Sequence, residues 1–197
     1  MNNNFIQKVI DIINIKIGIE SKPETVAFLG LTSKSEAFYR DVIALSLNQI
    51  YGKKYLVSRE WNRCDIAILD FKTGLPIFLL ELKVCYNVDL YKQSTIKEYI
   101  NAIDNDLKKC IKHGCAESYS IMFIFKPKKE IPKNLFSIVK YHKAINSGIK
   151  KIGFKELDIR GRSILKDKFK NMEFYHICED ESYNIQCELD ICVVKVE

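Results

Sequence analysis

Several features that would settle the class of this chain at a glance are missing from it. No apolar run approaches the ~20 residues of a membrane-spanning helix. The start, Met1-Asn2-Asn3-Asn4-Phe5-Ile6, has neither the basic region nor the cleavable apolar segment of a secretory signal. A cytoplasmic protein with no membrane partner is therefore expected. Paired C-x2-C spacings are absent, so the seven cysteines, scattered at 64, 85, 110, 115, 178, 187 and 192, read as reduced and mostly buried. Neither a disulfide framework nor a structural zinc site follows from that spacing. His113, His142 and His176 stand apart from one another, which argues against a histidine-metal nuclease motif. A G-x4-G-K-S/T phosphate loop is also lacking, so ATP-driven action within this chain is not expected. No internal repeat or low-complexity linker divides residues 1–197, and one domain is expected.

What is present describes an ordinary globular protein: 197 residues, 47% hydrophobic and 28% charged, enough for one full core. Phe5, Val9 and Ile13, with Ile6, Ile10 and Ile12 between them, predict a helix over about Asn3 to Lys16. Ser21-Lys22-Pro23-Glu24 breaks it. Thr32 to Ser35 offer caps for a second helix reaching Tyr51 and stopped by Gly52. Strands are predicted at Tyr55 to Trp61, Asp65 to Phe71 and Leu75 to Val84, the last two joined by Lys72-Thr73-Gly74 as an antiparallel hairpin. Lys92 to His113 forms a long amphipathic helix ending at Gly114. It crosses over to a strand at Ser118 to Phe125 that runs parallel to Leu75–Val84. A helix from Pro132 to Asn146 and strands at Phe174 to Cys178 and Ile185 to Val196 complete the chain. The class is α/β: an α-β-β-β-α-β core with a mixed central sheet flanked by helices, an extra N-terminal helix and a C-terminal αββ extension.

Chemistry concentrates in Arg63-Cys64-Asp65-Ile66-Ala67-Ile68-Leu69-Asp70 and Ile77-Phe78-Leu79-Leu80-Glu81-Leu82-Lys83-Val84. Both are apolar, strand-like runs that carry ionised groups where a buried strand should carry none. A carboxylate in such surroundings costs several kcal/mol unless it is paired, hydrogen-bonded or bound to a metal. Glu81 and Lys83 are two residues apart and so project to one face. Pairing of the two strands lets Asp65 join them, and two hard oxygen ligands beside an ammonium suit magnesium acting on a phosphate ester.

Asp65, a gap of 15 residues and then Glu81-Leu82-Lys83 resembles the PD-(D/E)xK nuclease superfamily, which includes many restriction endonucleases. The likeness spans roughly Lys34 to Pro127 and includes Glu36 in an upstream helix, where the family usually bears a glutamate. Cys64 stands where the family's name has proline, a position that varies widely. The resemblance implies a restriction-endonuclease-like fold and a magnesium-dependent deoxyribonuclease, with manganese as a substitute metal. Asp65, Glu81 and the Leu82 carbonyl would be ligands, Lys83 would act on the water or the transition state, and Glu36 would reach the metal through water. Gln93 and Lys97 open the following helix, where related nucleases often put accessory residues. Each position also has a plainer explanation. Asp65 would cap a turn, Glu81 and Lys83 would be a solvent-facing alternation, Glu36 would favour a helix dipole, and Gln93 and Lys97 would be solvated.

Charge is unevenly spread. Residues 126–170 hold 14 Lys and Arg against 4 Asp and Glu, whereas residues 171–197 hold one lysine against 7 acids. Within the basic block, Arg160, Arg162, Lys166, Lys168 and Lys170 read as a mobile loop able to hold backbone phosphates of DNA, with RNA not excluded. A solvated lysine-rich surface would look the same. Cutting both strands with one site per chain implies a homodimer, a partner subunit or two sequential nicks. Two other readings compete with the enzyme. One is a non-enzymatic module that binds nucleic acid or a partner on a nuclease-like fold, and the other is an effector or toxin neutralised by a partner. The intact Asp65, Glu81 and Lys83 favour the enzyme, since a decayed site should have lost one of them.

Overall fold

Apolar residues alternate or run unbroken through the middle of the chain, and these stretches pair into six strands. The computed structural model describes residues 4–115 and 117–195, the Gln93 and Leu107 side chains excepted. Strands β1 (Tyr55–Trp61), β2 (Cys64–Asp70) and β3 (Pro76–Tyr86) form an antiparallel meander. Between β2 and β3 the Asp70 carboxylate accepts the N–H groups of Lys72 and Thr73, and Gly74 takes a left-handed φ of 68° that a side chain would strain. Strand β4 (Ser118–Pro127) lies parallel to β3, after a short helix α4 (Asn87–Tyr91) and the long helix α5 (Gln93–Lys112). A hairpin of β5 (Met172–Ser182) and β6 (Ile185–Lys195) completes a mixed sheet of order β1-β2-β3-β4-β6-β5, with β1 and β5 at its edges. Tyr183 and Asn184, both left-handed, supply the twist that a two-residue hairpin turn needs.

Helices cover both faces, which explains why β3 and β4 are apolar nearly throughout. On one side α1 (Phe5–Ile12) and α3 (Glu36–Tyr51) pack Phe5, Val9, Tyr39, Ile43 and Leu47 against Ile66, Phe78, Leu80 and Phe123. The Tyr39 ring stacks on Phe123 with centroids 4.1 Å apart. The other side is covered by α5 and α7 (Phe154–Lys168), with Ile96, Ile103 and Leu165 against Cys85, Met122, Ile124 and Cys192. Among the described residues no helix is long and apolar enough to cross a membrane. All seven cysteines are free, and five of them are buried.

Four expectations need correction. The first helix does not end at Lys16 but continues from α1 as a π-helical stretch, Ile13–Ile19, with Ile13 and Ile17 both buried. An unpredicted helix, α2 (Thr25–Thr32), follows at once. The carboxylate of Asp180, far away in sequence on β5, accepts its Glu24 and Ala27 N–H groups at 3.0 Å. A cap supplied over that distance leaves no local signature.

The predicted helix from Pro132 to Asn146 is instead a 3-10 turn at Lys133–Leu135, followed by α6 (His142–Ile152). The Asn146 side chain clasps the Ile131 backbone, accepting its N–H at 2.6 Å and donating to its carbonyl at 2.9 Å. An unbroken helix would hold those two residues about 22 Å apart. Lastly, the supposed mobile loop around Arg160 is the body of α7, so the C-terminal extension is ααββ. Leu157, Gly161 and Leu165 form its buried face, and a Cβ on Gly161 would come within 3.0 Å of Leu90. That glycine marks close helix packing and not a loop.

Candidate active site

The antiparallel ladder between β2 and β3 runs as far as Ile66 and Leu80, and beyond that pair a side chain takes over from the backbone. The Asp65 carboxylate accepts the Leu82 N–H at 2.7 Å, which fixes the aspartate at the mouth of the opening. Ala67 and Leu69 of β2 pack with Leu79 of β3 on the α5 side of the sheet. Asp65 and Glu81 each lie one residue past the last paired rung, Ile66 with Leu80. Glu36 begins α3, and the charges of Lys83, Asp65 and Asp106 all reach it. The four expected residues Glu36, Asp65, Glu81 and Lys83 thus converge, together with the Leu82 backbone between the last two.

Helix α5 adds two residues that sequence reasoning missed. Asp106 forms ion pairs with Lys83 at 2.8 Å and with Lys109 at 3.5 Å. Lys109 also contacts the Glu81 carboxylate and donates to the Arg63 carbonyl at 2.6 Å. Glu81, Lys109, Asp106 and Lys83 therefore form a chain of alternating acidic and basic side chains under the helix. The only signal in the sequence was a pair of charges one turn apart beside the buried positions Ile103 and Cys110, which reads more simply as a solvated helix edge.

Electrostatics follow from burial and from the surplus of acid. Glu81, 2% exposed, has its carboxyl pushed up to about 9, first by burial and then by the charges of Asp106 and Asp65. Burial also raises Glu36, with Lys83 pulling the other way and Asp65 and Asp106 adding to the rise. For Lys83 burial favours the neutral amine, but Asp106, Glu36 and Asp65 outweigh it and hold the ammonium above its usual range. The donor set of two carboxylates and the Leu82 carbonyl is all oxygen, which fits a hard divalent cation. Here ammonium groups satisfy part of it, since Lys83 donates to the Leu82 carbonyl at 2.9 Å.

The other expected residues are dispersed. Lys97 is exposed near the start of α5, about 14 Å along the helix axis from Asp106, and the Gln93 side chain lies outside the described residues. Arg160 pairs with Glu156 at 2.6 Å, and Arg162 pairs with Asp158 at 3.0 Å and with Asp190. Lys166 sits over the Phe174 ring. Lys168 and Lys170, by contrast, line a groove of about 390 Å³ with Asn171 and Lys195, although Lys168 also meets Asp104 at 3.4 Å. Val194 of the same groove pairs with Ser120, which in turn pairs with Glu81, so the groove lies level with the acidic cluster and about 10 Å across the sheet.

No family model, curated protein or solved structure matches this chain. The reading of the site therefore stands on its geometry and chemistry.

Proposed function

We propose that this chain is a metal-dependent phosphodiester hydrolase of the PD-(D/E)xK kind, a DNA endonuclease serving restriction or another form of genome defence. The observation that carries the reading is the meeting of Asp65, Glu81, Lys83 and Glu36 where β2 parts from β3. A helix-led meander continuing through α5 into a parallel strand supports a restriction-endonuclease-like core. Asp65, Glu81 and the Leu82 carbonyl would hold magnesium. When bound, the ion would neutralise phosphate charge and make a bound water more acidic.

The chain's own groups do the rest. Lys83, held protonated beside Asp106, would offset negative charge growing on the phosphate oxygens. Glu36 adds a carboxylate to the rim, and Lys168, Lys170 and Lys195 would follow the DNA backbone. Supercoiled plasmid incubated with and without magnesium tests the reading, with Glu81→Ala as control. Nicking that requires both the metal and Glu81 is expected. Wild type that neither cuts any DNA or RNA nor binds a divalent metal would leave a binding module in its place.

A further inference from the structure

Glu81 has a second set of neighbours that the nuclease reading does not use. Its carboxylate and the thiols of Cys64 and Cys110 lie with their ligand atoms all within 4.8 Å of one another. Both cysteines are fully buried, on β2 and on α5, with Glu81 between their elements on β3. We propose that Cys64, Cys110 and Glu81 form a site for a thiophilic divalent ion, zinc being the natural occupant. The site shares Glu81 with the proposed magnesium site but needs neither Asp65 nor Lys83 nor the Leu82 carbonyl.

Charge explains why such a group would be tolerated inside the protein. Two thiolates and a carboxylate bring three negative charges, and a divalent ion with the Lys109 ammonium beside Glu81 balances all three. The surroundings also suit sulfur ligands. The Ser118 hydroxyl lies against the Cys110 thiol and would donate to it as a thiolate, the kind of outer contact that steadies zinc ligands. Three protein donors leave the fourth tetrahedral position to a water or another small ligand. The spacing of these cysteines gives no hint of this, because Cys64 comes from the start of β2 and Cys110 from the end of α5.

Loading releases one proton from each thiol to solvent, so affinity should rise with pH. The test uses the full reduced chain, stripped of metal and titrated with cobalt as a spectroscopic probe and with zinc against a chromophoric chelator. One equivalent should bind and give an intense thiolate-to-cobalt charge-transfer band that zinc bleaches. Cys110→Ser and Cys64→Ser should each weaken zinc binding by roughly 100-fold or more, since even outer contacts are worth about 10–100-fold. Asp65→Ala should leave the band intact. The wild-type spectrum decides the matter even where a cysteine variant fails to fold. Absence of the band, or its loss in Asp65→Ala, would overturn the site, whereas failure of magnesium-dependent cleavage by the chain stripped of other metals, beside a band that cobalt restores, would count against the nuclease reading alone.

Discussion

Lys83 and Lys126 sit on neighbouring strands, on one face of the sheet and among carboxylates, but the two clusters are built on opposite terms. Lys126, with its side chain 2% exposed, meets Asp190 at 2.5 Å, Glu188 at 2.7 Å and Asp158 at 3.5 Å. Each of those acids has a further cation: Lys128 for Glu188, and Arg162 for Asp158 and Asp190. That cluster is closed and balanced. Around Lys83 the acids Glu36, Asp65, Glu81 and Asp106 outnumber the ammonium groups of Lys83 and Lys109, and the Lys83 side chain is 21% exposed. A buried charge cluster already neutral within the protein belongs to the fold. One left acidic and partly open has room for a cation from outside.

The sharpest way to break this comparison is to remove each lysine in turn. Lys83→Ala should slow single-turnover cleavage by about 100- to 10,000-fold, the range for a positioned transition-state or proton-transfer group. DNA affinity measured in calcium should hardly change. Lys126→Ala should instead unfold the chain more readily, by about 3–5 kcal/mol in a denaturant titration, because it strands buried carboxylates. Equal stability losses for the two variants would erase the distinction.

A pH series sharpens it further. Without metal, the folded chain keeps a proton on Glu81 up to about pH 9, while the unfolded chain releases it near 4.5. The folded state therefore binds more protons in that window. Stability should fall as pH rises through it, by at most about 1.4 kcal/mol per pH unit, and then level off. Glu81→Gln in a chelating buffer should remove that slope. A flat wild-type profile would mean that Lys109 keeps Glu81 ionised throughout.

The smallest effect concerns the basic residues. Charge reversal at Lys170 and Lys195 should each reduce the log–log salt slope of DNA binding by about one unit. Arg160→Ala, which frees Glu156, should move it less. A larger effect at Arg160 would move the DNA track from the groove of Lys170 and Lys195 to the exposed face of α7.

These contrasts follow what the sequence made legible. Asp65, Glu81 and Lys83 could be read because strand periodicity and a short turn are local, so two residues of spacing fix a face. Asp106 and Lys109 could not, since a charged pair on a helix looks like a solvated edge until the sheet beneath it is known. The basic block misled for a related reason. Its surplus over residues 126–170 and the acid surplus over 171–197 were both plain, but not that they would meet, with Lys126 and Arg162 on Asp190 and Lys128 on Glu179. Only the pairing of β4 with β6 brings them together.

The position of β5 at the sheet's border has an effect on how the molecules treat one another. Its outer row exposes Glu173, His176, Glu179 and Glu181, with Asp180 half-buried beside them and tied into the cap of α2. A second chain trying to extend the sheet by hydrogen bonding to this strand would bring its own acids against these. Like-charge repulsion therefore opposes extension of the sheet at this open edge.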